Sequence, residues 1–72
     1  MTAANWRTEQ RAKARALRIL LLDADLKQVD VAEAMGVHAP HLSEYLNARR
    51  RWPEDFEERF RAAVRALQGG AQ

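Results

Sequence analysis

The sequence predicts an all-α domain built from four helices, or five at most, and three observations predict it. Two short amphipathic stretches meet at Gly36, with Val31, Ala32 and Met35 at helical spacing before it and Leu42, Tyr45 and Leu46 after it. Residues 6–23 are rich in Ala, Arg and Leu and hold no Gly or Pro, a composition that favours helix. Towards the other end, Trp52, Phe56, Phe60, Val64 and Leu67 follow one another at steps of four, four, four and three. That spacing lays them along one helical face.

Taken in order, residues 1–5 form a frayed terminus, and the first helix is predicted from Trp6 to about Asp23. Leu17, Leu20, Leu21 and Ala24 line one of its faces, and Arg7, Arg11, Arg15 and Arg18 line another. Trp6 lies well before the apolar cluster, where it either covers the core or stays partly exposed. The helix is expected to end between Asp23 and Asp25, because acids sit badly at the negative end of a helix dipole. Leu26 anchors the connection to a second helix starting near Gln28, with Asp30 and Glu33 in its early turns. Gly36 ends that helix, since a residue without Cβ enters the left-handed region at least cost. His38 falls at the N-cap of the third helix and Pro40 in its first turn, where a missing amide hydrogen costs little. Asn47 closes the helix and tolerates the left-handed conformation. Helices joined by so few residues must cross steeply, which is helix-turn-helix geometry, here over residues 28–47.

The last helix is expected to open at Trp52-Pro53-Glu54-Asp55, with Pro53 in the first helical position and the acids at the positive helix end. The Asp55–Arg59 and Glu57–Arg61 pairs add about 0.3 kcal/mol each on its exposed side. Gly69-Gly70 stops it, leaving 69–72 as a tail. Nothing divides the chain, so 1–72 reads as a single domain.

A chain of 72 residues lies near the lower limit for folding unaided and buries only about 60% of its unfolded surface. Without cysteine, neither a disulfide framework nor a thiolate metal site is available. No signal-peptide pattern opens the sequence, and its longest apolar run, Ile19 to Leu22, is far too short to span a membrane. A cytoplasmic protein without a membrane partner is the expectation. The formal charge is +2, but Arg7, Arg11, Lys13, Arg15 and Arg18 precede Leu22 against the single acid Glu9. Arg49, Arg50 and Arg51 form a second basic group, and Glu54, Asp55, Glu57 and Glu58 gather after it. Such polarity suits a polyanion on one side only. Ordinary solvation of exposed helix faces is the plainer explanation, and charge alone does not choose between them.

Residues 26–51 resemble the lambda-repressor and Cro family of helix-turn-helix DNA-binding domains. Gln28 opens the first motif helix, Ala32 is the small residue where the helices cross, and Gly36 is the turn glycine followed by Val37. Leu42-Ser43-Glu44-Tyr45-Leu46-Asn47 resembles the end of the family's recognition helix, with a basic segment after it. Val31, Met35, Val37, Leu42 and Tyr45 fall where the family places apolar core residues. The resemblance implies a compact lambda-repressor-like domain that binds double-stranded DNA. There are departures. Lys27 and His38 stand where Ser or Thr usually caps a helix, weakening each start by up to ~1 kcal/mol. Asp25 and Ala48 stand where glycines are frequent. Leu21 and Leu46 take the places of a common Arg–Glu pair, a change that removes two charges from the interior and predicts direct contact between the leucines.

With Leu42, Tyr45 and Leu46 turned inward, the third helix offers His38, Ala39, Pro40, Ser43 and Glu44 to a major groove, with His41 at the margin. Glu44 can accept from a cytosine amino group and His41 can donate to a purine N7 or a phosphate. Ser43 suits either role, while Ala39 and Pro40 offer apolar contact to a thymine methyl. This is a sparse set of base readers, so DNA shape and bridging water are expected to contribute to specificity. Phosphate contacts fall to Asn47, Arg49, Arg50 and Arg51, and, as the resemblance implies, to Gln28.

Other chemistries fit poorly. His38, His41 and Glu44 follow at zinc-like spacing but lack a fourth ligand. Ser43, His41 and Glu44 share one helix and cannot form a nucleophile–base–orienter set. Neither catalysis, nor a metal or other cofactor, nor a small-molecule ligand is expected. Reading a palindrome needs two recognition helices about 34 Å apart, set by a two-fold interface. That interface must come from the first helix, the last helix or both. The last helix is favoured, through exposed parts of Trp52, Phe60, Val64 or Leu67, although core packing explains the same stripe. The expected function is a homodimeric repressor on a palindromic operator, of the kind found among phage Cro-like repressors, restriction-modification controllers, antitoxins and anti-CRISPR-associated regulators. The alternative is a protein-interaction module, such as an antitoxin that binds a partner protein.

Overall fold

A computed structural model of the chain describes residues 5–69; residues 70–72 of the expected tail, and residues 1–4, lie outside the described residues. The described residues form four helices and no strand: α1 (Trp6–Ala24), α2 (Gln28–Met35), α3 (Ala39–Leu46) and α4 (Phe56–Gly69). The fold is compact and all-helical, with α4 packed on α1 and α2, and α3 packed on the same two helices from elsewhere.

One apolar cluster joins them. Ala14, Leu17 and Leu21 from α1 meet Val31, Ala32 and Met35 from α2, Leu42 and Leu46 from α3, and Phe56, Phe60, Ala63 and Val64 from α4. Leu21 and Leu46 are both buried in this cluster, the inward orientation that the expected contact between them requires. The aromatic rings form a chain across it. Phe56 lies 4.9 Å from Tyr45, 4.7 Å from Trp52 and 6.0 Å from Phe60, measured between ring centroids. Such tilted pairs add about 0.5–1.5 kcal/mol each beyond the area they bury.

The first three helices end in the same way. Asp25, Gly36 and Ala48 each adopt a left-handed conformation, with φ of 58°, 74° and 57°. The next residue's amide then closes a six-residue loop: Leu26 donates to the Leu21 carbonyl at 3.0 Å, Val37 to Ala32 at 2.9 Å and Arg49 to Glu44 at 2.9 Å. This is the Schellman closure, which satisfies carbonyls left without helical partners. Glycine fills only the second of these positions. The left-handed residue after α3 is Ala48 and not Asn47, whose φ of −100° leaves it in ordinary backbone. Asn47 acts through its side chain, which donates to the Ser43 carbonyl at 2.9 Å.

Helix starts are less uniform. Asn5, expected in the frayed terminus, caps α1 by accepting from the Thr8 amide at 3.4 Å. Lys27 and His38 occupy the N-caps of α2 and α3 without any side-chain capping bond, as their chemistry dictates. The last helix begins at Phe56, later than Trp52-Pro53 suggested. Pro53 instead opens a turn, in which the Phe56 amide donates to its carbonyl at 3.0 Å. Trp52 is held before that turn by bonds to other elements, so it cannot join the helix. Of the two expected ion pairs on α4, Glu57–Arg61 forms at 3.3 Å. Arg59 turns from Asp55 and donates to the Met35 carbonyl at 3.1 Å, answering a C-terminal carbonyl of α2.

Candidate nucleic-acid interface

The outward face of α3 and the segment after it form the candidate site. Val37 and the turn at Gly36 seat α3 against α2, and Leu42 and Leu46 lock its inner face into the core. His38, Pro40 and His41 are exposed, and the two imidazoles lie edge to face with centroids 5.3 Å apart. Ala39 is half-buried against the core, which removes much of the methyl surface expected to meet a thymine. Ser43 and Glu44 are half-buried at the middle of the face. Gln28, at the first position of α2, is exposed.

Two polar links organise that face. In the first, Asn47 Nδ2 reaches the Ser43 carbonyl and, at 3.3 Å, the Ser43 hydroxyl, while Asn47 Oδ1 accepts from Arg18 Nη2 at 2.8 Å. This brings an arginine of α1 to the C-terminal end of α3, where a cation also complements the helix dipole. In the second link, Arg50 Nε donates to Glu44 Oε1 at 2.8 Å. A residue expected at a phosphate and a residue expected at a base are therefore paired with each other. Arg49 and Arg51 are exposed, and the Arg51 guanidinium lies 5.7 Å from the centre of the Trp6 ring. Arg7 lies 4.6 Å from the same ring. Trp6 thus covers the edge of the structure with arginines around it, a cation–π arrangement.

The path of the arginine segment is set by Gln10, a residue that sequence reasoning passed over. Gln10 is only 5% exposed, the one buried polar side chain in the described core. Its amide nitrogen donates to the Tyr45 carbonyl at 3.0 Å and the Arg50 carbonyl at 2.8 Å, and its oxygen accepts from the Trp52 amide at 2.9 Å. Trp52 Nε1 adds a bond to the Tyr45 carbonyl at 2.8 Å. No buried side-chain nitrogen or oxygen among the described residues is left without a partner. The signal for Gln10 was present in the sequence. Gln10, Ala14, Leu17 and Leu21 share one helical face, and a polar residue in a buried stripe must find partners.

The four residues expected at a dimer contact divide. Phe60 and Val64 are fully enclosed by the protein's own core and offer no surface to a second copy; the small size of the domain makes their stripe the core itself. Trp52 and Leu67 remain half-buried. The large apolar side chains that do reach solvent are Ile19 and Leu22 on α1 and Val29 on α2, with Leu22 79% exposed. Leu22 also borders an open groove of about 310 Å³ with Arg18, Leu21, Leu26 and Gln28. Among the described residues no helix is long and apolar enough to cross a membrane. Comparison with protein-family models, with curated proteins and with solved structures finds no match.

Proposed function

We propose that this chain is a sequence-specific regulator of transcription that binds double-stranded DNA through a lambda-repressor-like helix-turn-helix, with α3 as the recognition helix. The observation that carries the reading is the exposed polar face of α3 beside an arginine segment whose backbone is pinned by a buried glutamine. A fixed helix face with cations at its end meets both needs of DNA recognition, base-edge contact and phosphate anchoring. His38, Pro40, His41, Ser43 and Glu44 face the bases. Arg49, Arg51, Gln28 and the Arg18–Asn47 pair meet the backbone.

Acting as a cytoplasmic homodimer on a palindromic operator, the protein represses by occupancy, since the mechanism needs no catalytic step or cofactor. With Phe60 and Val64 enclosed, the two-fold contact falls to the outer face of α1 at Ile19 and Leu22. Selection from random duplex DNA tests the proposal. A two-fold symmetric motif, with half-site centres about one helical turn apart, supports it. Failure to enrich any motif overturns it.

The same exposed leucine and isoleucine favour a second reading, a module that binds another protein through α1. A protein that binds no DNA but whose Leu22→Asp variant loses a defined protein partner fits that reading instead.

A further inference from the structure

We infer that Glu44 is the specificity-determining residue of the α3 face, that it selects cytosine, and that Arg50 is its positioning residue and not a phosphate contact. The inference rests on the proposed DNA-binding function.

A carboxylate turned towards a polyanion is repelled by it, so Glu44 is out of place on a face otherwise furnished with His38, His41, Arg49, Arg50 and Arg51. Its pairing with Arg50 at 2.8 Å offsets that repulsion and fixes the carboxylate at the same time. Only Oε1 is engaged, which leaves Oε2 and its lone pairs open. Both partners stay roughly half exposed, at 48% for Arg50 and 40% for Glu44, so the pair lies on the surface and adds little to stability by itself. Its value is orientation. Arg50 is held at both ends, its carbonyl by buried Gln10 and its guanidinium by Glu44. Arg50 therefore links the core to the carboxylate oxygen, through its carbonyl at one end and its guanidinium at the other.

A fixed acceptor in the major groove chooses among bases by simple complementarity. Guanine presents N7 and O6 there and thymine presents O4, all acceptors that repel a carboxylate. Adenine offers its amino group beside the acceptor N7. Cytosine alone offers an amino donor with no neighbouring acceptor on the same base. The Oε2 atom of Glu44 is accordingly complementary to cytosine N4–H.

Sequence selection with the full chain and its Glu44→Ala, Arg50→Ala and Arg49→Ala variants tests this, followed by binding to duplexes carrying N4-methylcytosine. The wild-type motif is expected to contain one cytosine column per half-site that Glu44→Ala flattens while the other columns persist. Replacing that cytosine by N4-methylcytosine, which blocks the groove-facing amino hydrogen, lowers wild-type affinity at least about fivefold and leaves Glu44→Ala unaffected. Arg50→Ala weakens the same column without changing the salt dependence of binding, whereas Arg49→Ala lowers that dependence and spares the column. A motif that Glu44→Ala leaves unchanged overturns the inference while leaving the proposed function intact. No motif from the wild type overturns both. Circular dichroism of each variant separates loss of reading from loss of fold.

Discussion

The Gln10 side chain donates to the Arg50 carbonyl at 2.8 Å, joining the first helix to a residue forty positions later. Three hydrogen bonds from this glutamine hold the 45–52 stretch, at the Tyr45 carbonyl, the Arg50 carbonyl and the Trp52 amide. The loop that carries the arginines is therefore not free to find its partner by sampling. Its conformation is already set, so the proposed DNA binding would forfeit less conformational freedom.

Replacing Gln10 by Ala strips partners from the Arg50 carbonyl and the Trp52 amide in a part-buried setting. A loss of about 2–3 kcal/mol in unfolding free energy is expected, from the net value of the bonds and the cost of leaving buried groups unpaired. Urea denaturation measures it. A change below about 0.5 kcal/mol would show that water replaces the glutamine at no cost, and that the loop does not depend on it.

The three left-handed helix ends predict opposite responses to similar substitutions. An added Cβ at Gly36 meets nothing within 4 Å, so Gly36→Ala is penalised only by its φ of 74°, by about 1 kcal/mol. Asp25→Gly relieves the same strain and removes an acid from the negative end of α1, for a gain of about 0.5–1 kcal/mol. At Ala48 the relief is offset by loss of a buried methyl, so Ala48→Gly is expected within about 0.5 kcal/mol of neutral. Thermal melts of the three variants check the order, since 1 kcal/mol moves the midpoint of so small a domain by about 4–8 °C.

Leu22 is 79% exposed, and its replacement leaves the core intact. If Leu22 lies in the proposed two-fold contact, Leu22→Asp keeps the helical signal of the wild type and sediments as monomer at concentrations where the wild type is dimeric. Leu67→Asp, on the half-buried side of α4, is expected to leave the dimer in place. Dimers that persist in the first variant and dissociate in the second would return the interface to the last helix.

Residues with strong periodicity were legible in the sequence. Val31, Ala32, Met35, Leu42 and Leu46 are buried as their spacing requires, and Gly36 ends α2 in the left-handed conformation. Both helix starts lacking a capping side chain were legible too, at Lys27 and His38. What spacing does not encode is which side chains meet across the chain. Arg59 fits an ion pair with Asp55 on helical geometry, yet a free carbonyl at Met35 draws it away. Arg50 looks like a solvated cation until the Schellman turn at Ala48 bends it back towards Glu44. Phe60 and Val64 were ambiguous because a stripe on a single helix serves a core or an interface equally well. Their burial decides for the core.

In the proposed function the arginine segment and the α3 face together bind DNA at a defined sequence. Footprinting of a duplex carrying the selected site, at several salt concentrations, measures both the boundaries and the ionic component of that binding. With Arg50 committed to Glu44, two or three ionic contacts per subunit remain, or about 4–6 per dimer, so log affinity should fall against log salt with a slope of roughly −4 to −5. A bounded, symmetric protected region with that dependence is the expected result. Weak protection without sequence boundaries, or affinity that hardly changes with salt, would rule out such binding.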